Sequence, residues 1–118
     1  MVRPGGRLIM SDLLLDESVA GPVREEFTTK LKAPNMWSIE RWDNLLGALP
    51  LDLIERQDWA VHTRPTFEHV LANLEAVRTE FLPRVGQEMV EGTHERLSIQ
   101  LDMARAGKLG WCFYALRR

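Results

Sequence analysis

Few side chains in this sequence have the types that move protons or bind polar groups, and fewer stand where a fold would gather them. "VRPGGRLIMSD" (residues 2–12) runs a turn into a mostly apolar stretch that ends on a hydroxyl and a carboxylate, Ser11 and Asp12. A carboxylate at a strand end either orients a polar group of a bound molecule or caps the turn that follows. His62 lies in "VHTRPT" after a second apolar run; an imidazole there can act as a base, although a lone loop histidine is more often solvated. His69 and His94 fall on separate predicted helices without metal-ligand spacing to any partner, so no metal site is expected. Cys112 belongs to an apolar run and reads as an inert small hydrophobe. Trp42 falls on the apolar stripe of a predicted helix and reads as core, whereas Trp37 stands just before that helix.

The elements that must position these residues alternate in type. Residues 7–15 (RLIMSDLLL) follow the Pro4-Gly5-Gly6 turn and read as a buried strand. Pro22 suits the first turn of a helix through about Ala33, with Val23, Phe27 and Leu31 on one face, and Pro34-Asn35 stops it. Ser38 is the expected N-cap of "SIERWDNLLGAL", whose buried face would hold Ile39, Trp42, Leu45, Leu46 and Leu49. "LDLIERQDWAV" (51–61) reads as a second strand. A helix is expected from Thr66 to Pro83, with Phe67, Val70, Leu71, Leu74, Val77 and Phe81 on its stripe, and another from Gly86 to Ala106, stopped by Gly107. "HERLSIQLDMAR" on that last helix carries mixed charge and reads as an ordinary solvated face, with Met89 and Met103 filling core. "GWCFYALRR" closes the order as a third buried strand.

With 118 residues, the chain is expected to form one domain. Its 45% apolar and 27% charged content excludes global disorder. A net charge of −2 leaves no basic face for nucleic acid, and no apolar run nears the ~20 residues of a membrane helix. One cysteine and no secretory pattern at the start make the cytoplasm the expected location. Three strands and four helices close poorly around a strand that is apolar on both faces, because such a strand needs neighbours on both edges. The fold class expected is α/β, with part of a larger sheet.

"VRPGGRLIMSD" resembles the fifth strand of class I S-adenosylmethionine-dependent methyltransferases, where a Pro-Gly-Gly turn leads into a strand ending in Ser-Asp. The resemblance extends over essentially the whole chain. It implies a lid at residues 17–36, a Trp-bearing helix at 38–49, a sixth strand in "LDLIERQDWAVHTRPT", a helical substrate cap at 63–107 and a seventh strand in "GKLGWCFYALRR". The types it is most similar to are the small-molecule N-, O- and C-methyltransferases, such as sarcosine, tocopherol and sugar methyltransferases. The spatial order implied is fifth, seventh, sixth, in a Rossmann-like sheet without its cofactor-binding strands.

The family's cofactor is held by its first four strands and a Gly-x-Gly-x-Gly loop. Gly5-Gly6 and Gly107 with Gly110 lack that spacing, so no residue of this chain is expected to bind cofactor. The resemblance therefore implies one subunit of a two-chain methyltransferase of the cytoplasm, with S-adenosyl-L-methionine bound mainly by a heterodimeric partner that carries the glycine loop. Its acceptor pocket would lie at the carboxyl ends of the strands. Asp12 and His62 are the candidate catalytic residues, as orienting carboxylate and base, and Ser11, Trp37 and Arg64 are the candidate substrate-binding residues, Arg64 having a cap-anchoring salt bridge as its simpler role. Two alternatives remain. One is a non-catalytic module that homodimerises through its exposed sheet edge and binds an apolar ligand. The other is a fragment of a longer methyltransferase.

Overall fold

The computed structural model describes residues 2–118. The elements run β1 (Arg7–Leu15), α1 (Gly21–Leu31), α2 (Ile39–Gly47), β2 (Asp52–Asp58), α3 (Ala60–Val85), α4 (Gln87–Arg105) and β3 (Leu109–Arg117). The architecture is α/β, one three-stranded sheet with four helices, and the strand order β1-β3-β2 is the one the resemblance implies. β3 pairs antiparallel with both neighbours, in unbroken register from Arg7↔Arg117 to Leu15↔Leu109 on one side and through a bulge at Leu53/Glu55 on the other. The Pro4-Gly5 turn needs the positive φ of Gly5 (76°), and it closes this end of the sheet through Gly5 N–H to Arg118 O at 2.9 Å.

Alternation along the strands sorts the core into two faces. Leu8, Met10 and Leu14 of β1 join Cys112, Tyr114 and Leu116 of β3 beneath Leu46, Ile39 and Trp42 of α2. On the other face Leu13, Leu15 and Leu109 meet Phe27 of α1, Phe67 of α3, and Leu101 and Ala104 of α4. The cap helices therefore cover the carboxyl half of β1, and Ser11 and Asp12, expected to end the strand, stand at its middle, because pairing with β3 continues beyond them to Leu15↔Leu109. Leu15 and Cys112 are wholly buried and Tyr114 is 1% exposed, so β3 has the buried character expected of it.

Three sequence expectations are corrected. α3 begins at Ala60 rather than Thr66, so β2 stops at Asp58 and His62 lies in the first turn of a helix instead of a loop. Pro65 is tolerated there because it forfeits one backbone bond near the helix start, while Thr63 Oγ1 donates to Trp59 O and Thr66 Oγ1 to His62 O. Pro83 likewise lies inside the helix, which continues to Val85. The apolar stripes are also only partly covered: Val23 is 62% exposed, and Leu45, Leu49, Val70 and Phe81 are exposed as well. Helical periodicity marks these faces for burial, and no described part of this chain reaches them. The third correction concerns β1, whose Ile9 is 64% exposed although both its faces read as core; that its outer edge has no partner strand among the described residues is what a partial sheet predicts.

Sheet and α2 are clamped by one polar cluster. Tyr114 Oη donates to Asp43 Oδ1 at 2.6 Å, and Arg56 of β2 donates to both carboxylate oxygens at 2.8 and 2.9 Å. The Arg56 guanidinium holds the Asp43 carboxyl below the ordinary carboxylate range, and burial with the Asp43 bond pushes the Tyr114 hydroxyl up. Because the folded pKa of Asp43 is depressed, its stabilising contribution is complete above the unfolded value near about pH 4 and disappears as pH falls through the lowered value. Urea midpoints followed from neutral pH into acid are expected to decline less steeply for Asp43→Asn than for the parent chain. Identical acid slopes would remove Asp43 from the account.

Candidate functional site

At the carboxyl end of β1 a pocket of about 470 Å³ opens between sheet, lid and cap. Asp12 and Leu13 form its floor, Leu31 and residues 33–36 one wall, and Arg96 and Gln100 of α4 another. The lid wall has a definite local cause. Lys32 ends α1 in the left-handed region (φ 54°), its N–H bonding Thr29 O at 3.1 Å, and the N–H of Ala33 bonds Thr28 O at 2.9 Å. Pro34 then prevents the helix from resuming, and the chain returns along the pocket to Met36, which is buried.

The return is pinned by Arg24. Its Nη1 donates to Val19 O at 2.8 Å and to Asp16 O at 3.2 Å, and its Nη2 to Met36 O at 2.6 Å. One guanidinium thus joins both arms of the segment between β1 and α2. The arms are fastened further where Leu15 N–H meets Trp37 O at 3.1 Å and Ser38 Oγ donates to Glu17 Oε1 at 2.9 Å. Ser38 also caps α2 by accepting from Arg41 N–H at 3.2 Å, as its position before the helix predicts.

Of the residues singled out in the sequence, Asp12 alone lines this pocket. Its Oδ2 accepts the indole N–H of Trp42 at 3.1 Å, which fixes the carboxylate from the α2 side. Ser11 is exposed and is not among the pocket's lining residues; by strand alternation it shares the face of Leu13 rather than that of Asp12. Trp37 packs against Trp42 at 4.6 Å between centroids and lies under the Arg41 guanidinium at 4.2 Å, beside the pocket and not in its wall. His62 is exposed on α3. Arg64 makes an ion pair with Glu68 at 2.8 Å, one helical turn on, and Arg105 of α4 approaches the same carboxylate at 3.8 Å.

Asn35, Arg96 and Gln100 are pocket residues that sequence reasoning missed. The charged residues of "HERLSIQLDMAR" are exposed as that reading expects, Arg96 among them, and what it did not carry is that the solvent they face includes the pocket. Arg96 and Gln100 are spaced i,i+4, so one stripe of that helix faces the pocket while the neighbouring stripe, Leu97, Leu101 and Ala104, enters the core. Cys112 is buried with its thiol pushed up by desolvation, so it is no nucleophile. Among the described residues no three His, Cys, Asp or Glu side chains gather to hold a metal, and no helix is long and apolar enough to cross a membrane. The glycines at positive φ (Gly5, Gly21, Gly86, Gly107) stand in four separate turns, and a Cβ at any of them meets nothing within 4 Å. They form no cradle for a nucleotide cofactor.

No known family profile matches this sequence. The methyltransferase GfsG of Streptomyces halstedii is 31% identical over 110 residues, covering 91% of this chain and 38% of its own length. Among solved structures, a candidate sarcosine dimethylglycine methyltransferase from Galdieria sulphuraria superposes with a TM-score of 0.82 at 18% identity, over 98% of this chain and 42% of that one. Phosphoethanolamine N-methyltransferase 2 of Haemonchus contortus, in complex with phosphomonomethylethanolamine and S-adenosylhomocysteine, gives 0.80 at 13% identity, over 98% of this chain and 27% of that one. The chain spans well under half the length of each of these proteins, and at these identities the structural likeness shows the fold.

Arg24 is the residue on which the pocket's lid wall depends. Arg24→Ala removes three donated bonds, of which only that to Asp16 O is backed by a second donor, Val19 N–H at 3.1 Å, at a cost of about 2 kcal/mol. Amide hydrogen exchange is expected to accelerate across residues 16–37 with β3 unchanged. Protection equal to the parent across that segment would refute the pinning role.

Proposed function

We propose that this chain, which has the fold of the C-terminal part of a class I S-adenosylmethionine-dependent methyltransferase, supplies the acceptor-binding half of a two-chain enzyme. Its partner carries the strands and glycine loop that hold S-adenosyl-L-methionine. The observation that carries the reading is the open edge of β1, with Ile9 exposed and no strand beside it, directly next to a pocket already walled by lid and cap. A strand paired there, with helices over the exposed apolar faces, would bury surface at ~25 cal/mol per Å² before the entropic cost of association.

In this arrangement residues 17–36 are the lid and 63–107 the substrate cap. This chain holds the acceptor, turns it toward the partner's cofactor and excludes water, which is where most of the rate of a transfer between two bound molecules originates. Asp12, steadied by the Trp42 indole, orients an acceptor hydroxyl or amine from β1. His62 and Ser11 are exposed and do not line the pocket, so the reading does not lean on either as base or contact. The acceptor is a small organic molecule, in keeping with the pocket's size, and the cytoplasm suits a chain whose one cysteine is free.

The test is native mass spectrometry of the tagged chain recovered from its own cells, with S-adenosylhomocysteine binding measured on what is recovered. A second polypeptide bearing the glycine loop, and binding by that pair alone, is the expected result. A homodimer without affinity for S-adenosylhomocysteine would overturn the enzyme and leave a ligand-binding module paired at β1. Recovery within one longer polypeptide would overturn the two-chain arrangement.

A further inference from the structure

We infer that the pocket selects an acceptor with an apolar body and an anionic end, a carboxylate or a phosphate, which Arg96 receives. This rests on the reading of the pocket as an acceptor site. Leu13, Leu31, Ala33 and Met36 present an apolar wall. Against it stands one cation, Arg96, that nothing in the chain neutralises: among the described residues it makes no ion pair, and its guanidinium donates only to Thr93 Oγ1 on its own helix, at 3.3 Å.

No acid of α4 stands three or four residues from Arg96, where a partner on the same face would have to be: those positions are Gly92, Thr93, Ile99 and Gln100. Asp12, the pocket's one carboxylate, comes from the sheet rather than the cap, accepts the Trp42 indole N–H and lies beyond ion-pair distance of Arg96. The pocket thus carries separated charges, negative on the sheet and positive on the cap. Gln100 extends the positive side, because its amide stands one helical turn from the guanidinium and has no side-chain partner of its own among the described residues. A planar fork with a neighbouring amide donor matches an oxyanion with two or more oxygens. An acceptor held this way lies along the apolar wall with its uncharged end toward Asp12, and the anion sets which end is presented.

The test uses the 118-residue chain and four probes of equal length: octanoate, octyl phosphate, octan-1-ol and octylammonium, titrated with Trp fluorescence as the readout. One of the two anions is expected to bind at least about tenfold more tightly than octan-1-ol, with the preference shrinking as salt is raised. Which anion leads distinguishes a carboxylate acceptor from a phosphorylated one. Arg96→Gln, checked by an unchanged thermal melt, should bring anions and alcohol within about twofold while leaving the alcohol's affinity as it was, and Arg96→Lys should retain part of the preference. Equal binding of octanoate, octyl phosphate and octan-1-ol, a preference that survives Arg96→Gln, a preference for octylammonium, or no binding by any probe would each overturn the inference. These titrations need no cofactor. An anion preference without a cofactor-holding partner would sink the two-chain enzyme and keep the anion pocket, and a partner without the preference would do the reverse.

Discussion

Two edges of one strand organise this protein. β3 is the only strand that pairs twice, and β1 and β2, which run parallel to each other, touch nothing but β3 within the sheet. Its register places Cys112 between Asp12 and Asp58, Tyr114 between Met10 and Arg56, and Leu116 between Leu8 and Leu53. The contacts between the sheet and α2 are set by those rows. The Tyr114 hydroxyl can reach Asp43 only because its row faces α2, and the same alternation sends Asp12 toward Trp42. Sheet order and the direction of each functional side chain are thus one fact.

The pocket is the second consequence. β1 and β2 end on the same side of the sheet, so the lid that leaves β1 and the cap that leaves β2 must share the space beyond those ends. The lid is kept from collapsing into that space by a polar device, the Arg24 guanidinium across three carbonyls, and it is kept close by apolar ones, with Phe27 and Met36 buried against α4 and the sheet. A cavity of about 470 Å³ survives between a rigid floor and a fastened wall. A preformed space of this kind spares a ligand some of the ordering cost of binding.

Much of this was legible in the residues. The element order followed from Pro, Gly and apolar spacing, β1 matched residues 7–15, and the Ser38 cap and Gly107 stop stood where their side-chain chemistry puts them. The errors had two physical sources. Proline was read as a boundary at positions 65 and 83, but one lost bond near a helix end is cheap when packing holds the rest. Periodicity reports which face wants burial and not what buries it, which is why Val23, Leu45, Leu49, Val70 and Phe81 are exposed. The site was less legible than the fold. Asp12, a carboxylate within an apolar strand, could be found, although it stands mid-strand rather than at the expected end, whereas Arg96, Gln100 and Asn35 are ordinary polar residues until lid and cap are brought over β1.

The pairing of Arg7 with Arg117 has a kinetic side as well. The contacts that complete the sheet join segments about a hundred residues apart, among the most distant a chain of this length permits, so loop closure comes before most of their reward. The α3–α4 hairpin is made of local contacts and joins the end of β2 to the start of β3, so it shortens the loop that must close between those two strands, whereas nothing local brings β1 to its place beside β3.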